Sequence, residues 1–266
     1  MSPADAGASA PILVQREDGL AIVTVDSPPL NLFDARMSEA LEAAVAALEA
    51  DRPRAVLFRA EGRVVSGGVD VSLFAALSGP EEAAATFEGL VDLARRVDRL
   101  PCPTMFAAHA LCLTWAFELA LACDLIVAAE SASFGLVEKV IGLTPAMGGT
   151  QRLAERAGSG RAKQFVMAGR PFPAAELERW NVINRVLADE GFDEAARALG
   201  HELARGPTLA HAATKQVVRD YLEGGVELAN ERVSSVAGDL FATEDLQEAV
   251  RSFLDEGPGN ATFLGR

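Results

Sequence analysis

The sequence predicts an α/β fold, and three observations predict it. Short apolar, partly β-branched runs recur along the first half of the chain; Gly- or Pro-bearing turns and amphipathic stretches follow them; and after Gly149 the pattern becomes mostly helical. Residues 12–26 (ILVQREDGLAIVTVD) read as a hairpin, two β-branched runs joined at Asp18-Gly19. Ser27-Pro28-Pro29 breaks the second run, and Asp34 is placed to cap a helix reaching about Asp51, with Met37, Leu41, Val45 and Leu48 on its apolar face. AVLFR (55–59) is a short buried strand that empties into EGRVVSGGVD (61–70), a glycine-rich turn leading towards a helix. Residues 81–100 form a second amphipathic helix on Phe87, Leu90, Val91, Ala94 and Val97, stopped by Pro101 and Pro103. TMFAAHA (104–110) is a strand, 115–122 a helix and 124–129 a strand. Beyond Gly149 one strand-like run, VINRV (182–186), interrupts helices, and Thr243 caps the last of them, which carries Leu246, Val250, Phe253 and Leu254.

The division expected is a loose Ala/Ser/Pro-rich tail at 1–11, an α/β core at 12–200 and a helical region at 201–266. The helical appendage has little of its own to cover its apolar stripes, so subunit contacts are expected there. Half of the 266 residues are apolar, enough for a sizeable core, yet no run of eighteen apolar residues marks a membrane span. The tail lacks the basic and apolar regions of a signal peptide. Cys102, Cys112 and Cys123 sit in apolar settings without CxxC spacing, so reduced thiols and a cytoplasmic location are expected. A net charge of −14 argues against nucleic acid and anionic membranes as partners, since both need a basic footprint. A small anionic ligand is still compatible, and with lysine only at 139, 163 and 215, arginine would carry any phosphate contact.

The chemistry concentrates between His109 and Leu153. Glu118 stands in the apolar TWAFELALACD (114–124), and Glu138 in FGLVEKVIGLTPAMGGTQRL (134–153). A carboxylate in apolar surroundings is costly unless paired or protonated, and such placement raises its pKa for acid–base work. Two turns add backbone donors. Paired glycines in SGGVDV (66–71) let a ligand approach the main chain, and the helix beginning near Thr114–Ala116 presents unpaired N–H groups at its positive end. Singly, each feature also has a structural explanation: a tight turn, a paired core acid, a loop-end salt bridge. Three scattered histidines suggest no metal site.

Taken together, these stretches resemble the enoyl-CoA hydratase/isomerase (crotonase) family. SGGVDV matches its S-A-G-A-D-L, TWAFELALACD its G-G-G-C-E-L-A-L-A-C-D, and 134–153 its F-G-x-x-E-x-x-x-G-L-x-P-x-x-G-G-T-Q-R-L. ERWNVINRV (178–186) and TEDLQEAVRSFL (243–254) extend the resemblance to the C-terminus. It implies a crotonase-like spiral of ββα turns with a helical C-terminal trimerisation region, forming a homotrimer or a dimer of trimers. It implies an acyl-CoA thioester as substrate and no separate cofactor, coenzyme A being part of the substrate. The thioester oxygen would be held by the backbone N–H groups of Val69 and Trp115, with Gly67, Gly68 and Asp70 completing the substrate-binding turn. The hydratase subgroup's two glutamates fall on Glu118 and Glu138, so water addition across the 2,3 double bond is the expected reaction. Isomerisation, decarboxylation or hydrolysis of another acyl-CoA on the same scaffold is the alternative, and a non-catalytic acyl-CoA-binding role a third. Thr114, Trp115 and Ala116 replace three family glycines, Val69 replaces an alanine, and the tail 257–266 lacks the family's frequent lysine while keeping Phe263 where adenine contact is plausible. The indole of Trp115 would either floor the acyl pocket or block it; a smaller pocket that takes a short or differently shaped acyl group is expected, and Trp115→Gly is expected to admit longer chains at a cost of about 1 kcal/mol in helix propensity.

Overall fold

A computed structural model describes residues 10–266; most of the expected tail, residues 1–9, lies outside the described residues. The hairpin forms as β1 (Ile12–Glu17) and antiparallel β2 (Leu20–Val25), turning at Asp18 and Gly19, both with positive φ. The Asp34 carboxylate accepts the Met37 N–H at 2.7 Å and starts α1 (Ala35–Ala50). β3 (Ala55–Ala60), a short α2 (Ser72–Ala75) and α3 (Pro80–Asp98) follow, then β4 (Thr104–Ala108), β5 (Leu111–Leu113), α4 (Trp115–Ala122), β6 (Leu125–Ala129) and β7 (Ser133–Gly135). A 3-10 turn covers Glu138–Ile141. The remaining elements are α5 (Gly149–Ala157), α6 (Ser159–Ala168), β8 (Phe172–Pro173), α7 (Ala174–Arg179), β9 (Arg185–Leu187), α8 (Phe192–Arg205), α9 (Thr208–Asp239) and α10 (Glu244–Glu256).

The main sheet runs β1-β2-β3-β4-β6-β9, parallel throughout except for the β1–β2 hairpin. Parallel strands covered on both faces are apolar without alternation, which is why AVLF, MFAA and IVAA are fully buried. A second layer is built from much shorter pieces. β5 pairs β7 in parallel and β7 pairs β8 antiparallel, while single bridges join Ser66 to Cys112 and Phe33 to Val69. Each circuit therefore passes a main-sheet strand, a short second-layer segment and a helix, which is the expected ββα spiral.

Several boundaries differ from the sequence reading. The strand expected at 182–186 is β9 at 185–187, because Val182 and Ile183 turn inward under α7 and bond to Leu177 O. Val91 is exposed, and Leu93 takes its expected place in the core stripe of α3. The boundary expected at 200/201 falls inside α8, whose Gly200 packs closely on Leu20 and Leu57 of the sheet. α9 breaks at Gly225 (φ 74), and this bend lets Arg232 reach the buried Asp220 at 2.8 Å. Lys215 fastens α9 to the core through Asp124 (2.8 Å) and the Cys102 carbonyl (3.0 Å). The three cysteines are free and buried, and burial pushes the Cys102 thiol up to about 11. No helix among the described residues is long and apolar enough to cross a membrane.

Candidate active site

The two backbone donors are brought together by the second layer. The segment after β3 runs parallel to β5: Val65 and Ser66 donate to the Leu111 carbonyl (2.9 and 3.1 Å), and the Leu113 N–H donates to Ser66 O at 3.1 Å. Continuing that register sets Gly68 beside Thr114 and Val69 beside Trp115, and a Cβ built on Gly68 would lie 3.5 Å from Thr114 Oγ1. On its other side this segment bridges Phe33, with Phe33 N–H donating to Gly68 O and Asp70 N–H to Phe33 O, both at 2.9 Å. That pattern leaves the Val69 N–H outside the ladder. Trp115 opens α4, where a first-turn N–H has no intrahelical acceptor. Among the described residues neither N–H has an acceptor.

Thr114 holds this junction at φ 50, ψ −118, a left-handed conformation that favours glycine. Such a residue costs about 1–3 kcal/mol and persists only where its surroundings dictate it. Here it orients the peptide that carries the Trp115 N–H, so the strain is located where backbone direction matters.

Glu118 lies one turn into α4 and is 3% exposed. Its Oε2 accepts the N–H groups of Met147 (2.6 Å) and Gly149 (2.9 Å) at the start of α5. Burial pushes this carboxyl up to about 7; the Gly149 N–H opposes the rise, and the nearby Glu138 charge adds to it. Glu138, at the head of the 3-10 turn, is also pushed up to about 7 by burial, and its Oε2 is buried with no partner among the described residues. Two carboxyls twenty residues apart thus share one cavity of about 390 Å³, whose lining also includes Val69 and Trp115.

Three residues expected to bind substrate do not line that cavity. Gly67 packs on Leu30, where a Cβ would come within 3.1 Å of its side chain, and Gly68 (φ 115) makes the turn beneath Thr114. The Asp70 carboxylate turns away to accept the Ser72 N–H at 2.9 Å, which holds it below the usual carboxylate range. These three shape the loop that presents Val69, the one residue of the turn that lines the cavity.

Trp115 resolves in favour of a wall. The indole is 3% exposed, packs on Phe33 with ring centroids 5.5 Å apart, and lines the cavity without closing it. Its buried packing changes the expected cost of removal. Trp115→Gly should destabilise the chain by about 3–5 kcal/mol, the range for deleting a buried aromatic, rather than the 1 kcal/mol of helix propensity. Denaturant unfolding of the variant measures this directly. The sequence reading did not identify Phe74, Met147 or Leu143 as cavity lining, and it assigned Phe87 and Leu90 to the core although they face the cavity. Among the described residues no group of three or more His, Cys, Asp or Glu is placed to hold a metal ion.

A family model described as enoyl-CoA hydratase/isomerase matches residues 15–261. A Bacillus subtilis protein named probable enoyl-CoA hydratase is 30% identical over 244 residues, covering 89% of this chain and 93% of its own length. A carnitinyl-CoA dehydratase from Salmonella typhimurium is 34% identical over 209 residues, 77% of this chain and 78% of that protein. Among solved structures, subunit I of an enoyl-CoA hydratase from Geobacillus kaustophilus superimposes with a TM-score of 0.88 at 29% identity, covering 96% and 98% of the two chains.

Proposed function

The chain belongs to the enoyl-CoA hydratase/isomerase family, and from that premise we propose that it adds water across the 2,3 double bond of an acyl-CoA thioester. One observation carries the reading: two carboxyls with raised pKa and two unspent backbone N–H groups border the same cavity. The thioester oxygen accepts from Val69 and Trp115. Those donors gain most when negative charge develops on that oxygen, and a preorganised donor of this kind is worth about 3–4 kcal/mol in other enzymes. With the carbonyl polarised, C3 becomes electrophilic.

The carboxyls then divide the proton work, because neighbouring acids do not both ionise easily. Glu118, with two N–H groups on one oxygen, is the better holder of negative charge, so it takes a proton from the attacking water as the C3–O bond forms. Glu138 lacks such donors, holds its proton, and delivers it to C2 as the enolate collapses. The water's oxygen and one proton end on the product, and the carboxyl pair exchanges which member is protonated. A protein named as a dehydratase among the relatives supports water chemistry over double-bond migration. Incubation with a 2-enoyl-CoA and chromatography of the products tests the reading. A 3-hydroxyacyl-CoA is expected; a 3-enoyl-CoA would favour the isomerase, and free coenzyme A a hydrolase.

The domain division and the assembly belong to the same proposal. With α8 kept whole on the sheet, residues 12–205 serve as the core and 206–266 as the association region. Val250, Phe253 and Leu254 on α10 and Phe241 just before it are exposed, an apolar set too large to leave in water without reason. A homotrimer or dimer of trimers covers it. Light scattering at micromolar concentration should return three or six times 28.0 kDa, and a monomer would remove this part of the proposal. A cytoplasmic location fits reduced, buried cysteines.

A further inference from the structure

We infer that the cavity selects an uncharged apolar acyl tail longer than four carbons and excludes tails that end in a carboxylate. The inference rests on the acyl-CoA reading of this cavity and extends it to the substrate class. Volume is the first observation. At about 390 Å³ the cavity holds roughly a dozen water-sized groups. A four-carbon acyl group would fill less than half of it, leaving apolar wall against trapped water.

The second observation is the wall itself. Two ring pairs border the space, Phe33 with Trp115 at 5.5 Å beside the carboxyls and Phe74 with Phe87 at 6.3 Å on α2 and α3. With Leu73, Leu77 and Leu90 they make most of the lining apolar. Each methylene buried there should tighten binding about fourfold.

The third observation concerns charge. Besides Glu118 and Glu138 the charged lining is Glu42 on α1 and Glu82 near the start of α3, and among the described residues no Lys, Arg or His lines the cavity. Arg96 sits behind Glu42 at 2.5 Å, but it is also bonded through two nitrogens to Glu49, so it is already matched by two carboxylates. Glu82 is bonded to the Ser78 N–H (2.8 Å) and hydroxyl (2.6 Å) and stays ionised. An anionic tail would leave water for a lining whose only charges are carboxylates, with no cation to meet it.

Saturated acyl-CoAs test this without turnover. Calorimetric binding of butyryl-CoA, octanoyl-CoA and the ω-carboxylated octanedioyl-CoA to the full chain should rank octanoyl-CoA at least tenfold tighter than either of the others. Glu82→Gln, a conservative change at an exposed site, should narrow the gap between octanoyl- and octanedioyl-CoA at least threefold and leave the octanoyl-to-butyryl ratio unchanged. Equal binding of butyryl- and octanoyl-CoA, or octanedioyl-CoA binding as tightly as octanoyl-CoA, would overturn the inference. An unchanged gap in Glu82→Gln would overturn the charge argument. Failure of all three ligands to bind would overturn the acyl-CoA reading beneath it.

Discussion

Glu138→Gln should lower hydration of a 2-enoyl-CoA by about 10³-fold or more while leaving the protein folded, within the 10²–10⁴ range for losing a positioned acid–base group. Glutamine keeps the shape and removes the proton that C2 must receive. Glu118→Gln should fall by a similar factor, since its amide can still accept the Met147 and Gly149 N–H groups through Oε1 but takes no proton from water. An isomerase behaves differently. It would keep double-bond migration in Glu118→Gln and lose it in Glu138→Gln, so equal losses in both variants argue for hydration. Stability moves the other way. Both carboxyls have a folded pKa of about 7, above the ordinary 4.5, so the folded chain binds more protons than the unfolded one between those values. Stability therefore falls as pH rises from about 4.5 to 7 and is flat beyond. Above pH 7 each glutamine variant should be at least as stable as the parent, a combination that separates lost chemistry from lost fold. The activity profile should peak near pH 7, where one carboxyl of the pair is protonated and one ionised, with apparent values belonging to the pair.

Gly149→Ala should cost hydration about 10²-fold with the fold intact. A Cβ at this position would stand 2.6 Å from Glu118 Cγ and 3.1 Å from its Cδ, both far inside contact distance. The Gly149 φ is not left-handed, so alanine can adopt the backbone. The nearest obstacle is Glu118, which must move off the N–H groups that hold it. A displacement near 1 Å at a reacting group is enough for a loss of that size. The stability cost should stay within the 1–3 kcal/mol of a single overpacked methyl. Near-parental kinetics in this variant would mean that Glu118 does not act from the position seen.

These two residues also mark how far the sequence carries. Glu118 and Glu138 stood out because each is a carboxyl within an apolar pattern, and the strands around them were readable because parallel strands are uniformly apolar. The N–H groups that hold Glu118 come from residues 29 and 31 positions later, a contact that only the fold creates. β5, β7 and β8 went unread because two or three residues have no periodicity to detect. Phe87 and Leu90 followed the helical stripe of α3, and a stripe records that a side chain avoids water, not whether its neighbour is protein or an empty cavity. Gly67, Gly68 and Asp70 were legible as a turn; which residue of the turn lines the cavity was set by the bridge between Phe33 and Val69.

The proposed hydration requires one arrangement: a thioester oxygen between two backbone N–H groups, with two carboxyls at the carbons beyond it. A crystal structure of the chain with a saturated acyl-CoA measures this most directly. The thioester oxygen is expected at about 2.7–3.1 Å from both the Val69 and the Trp115 nitrogen, with Glu118 and Glu138 flanking C2 and C3. A thioester bound elsewhere, or an oxygen within reach of only one of the two nitrogens, would contradict it.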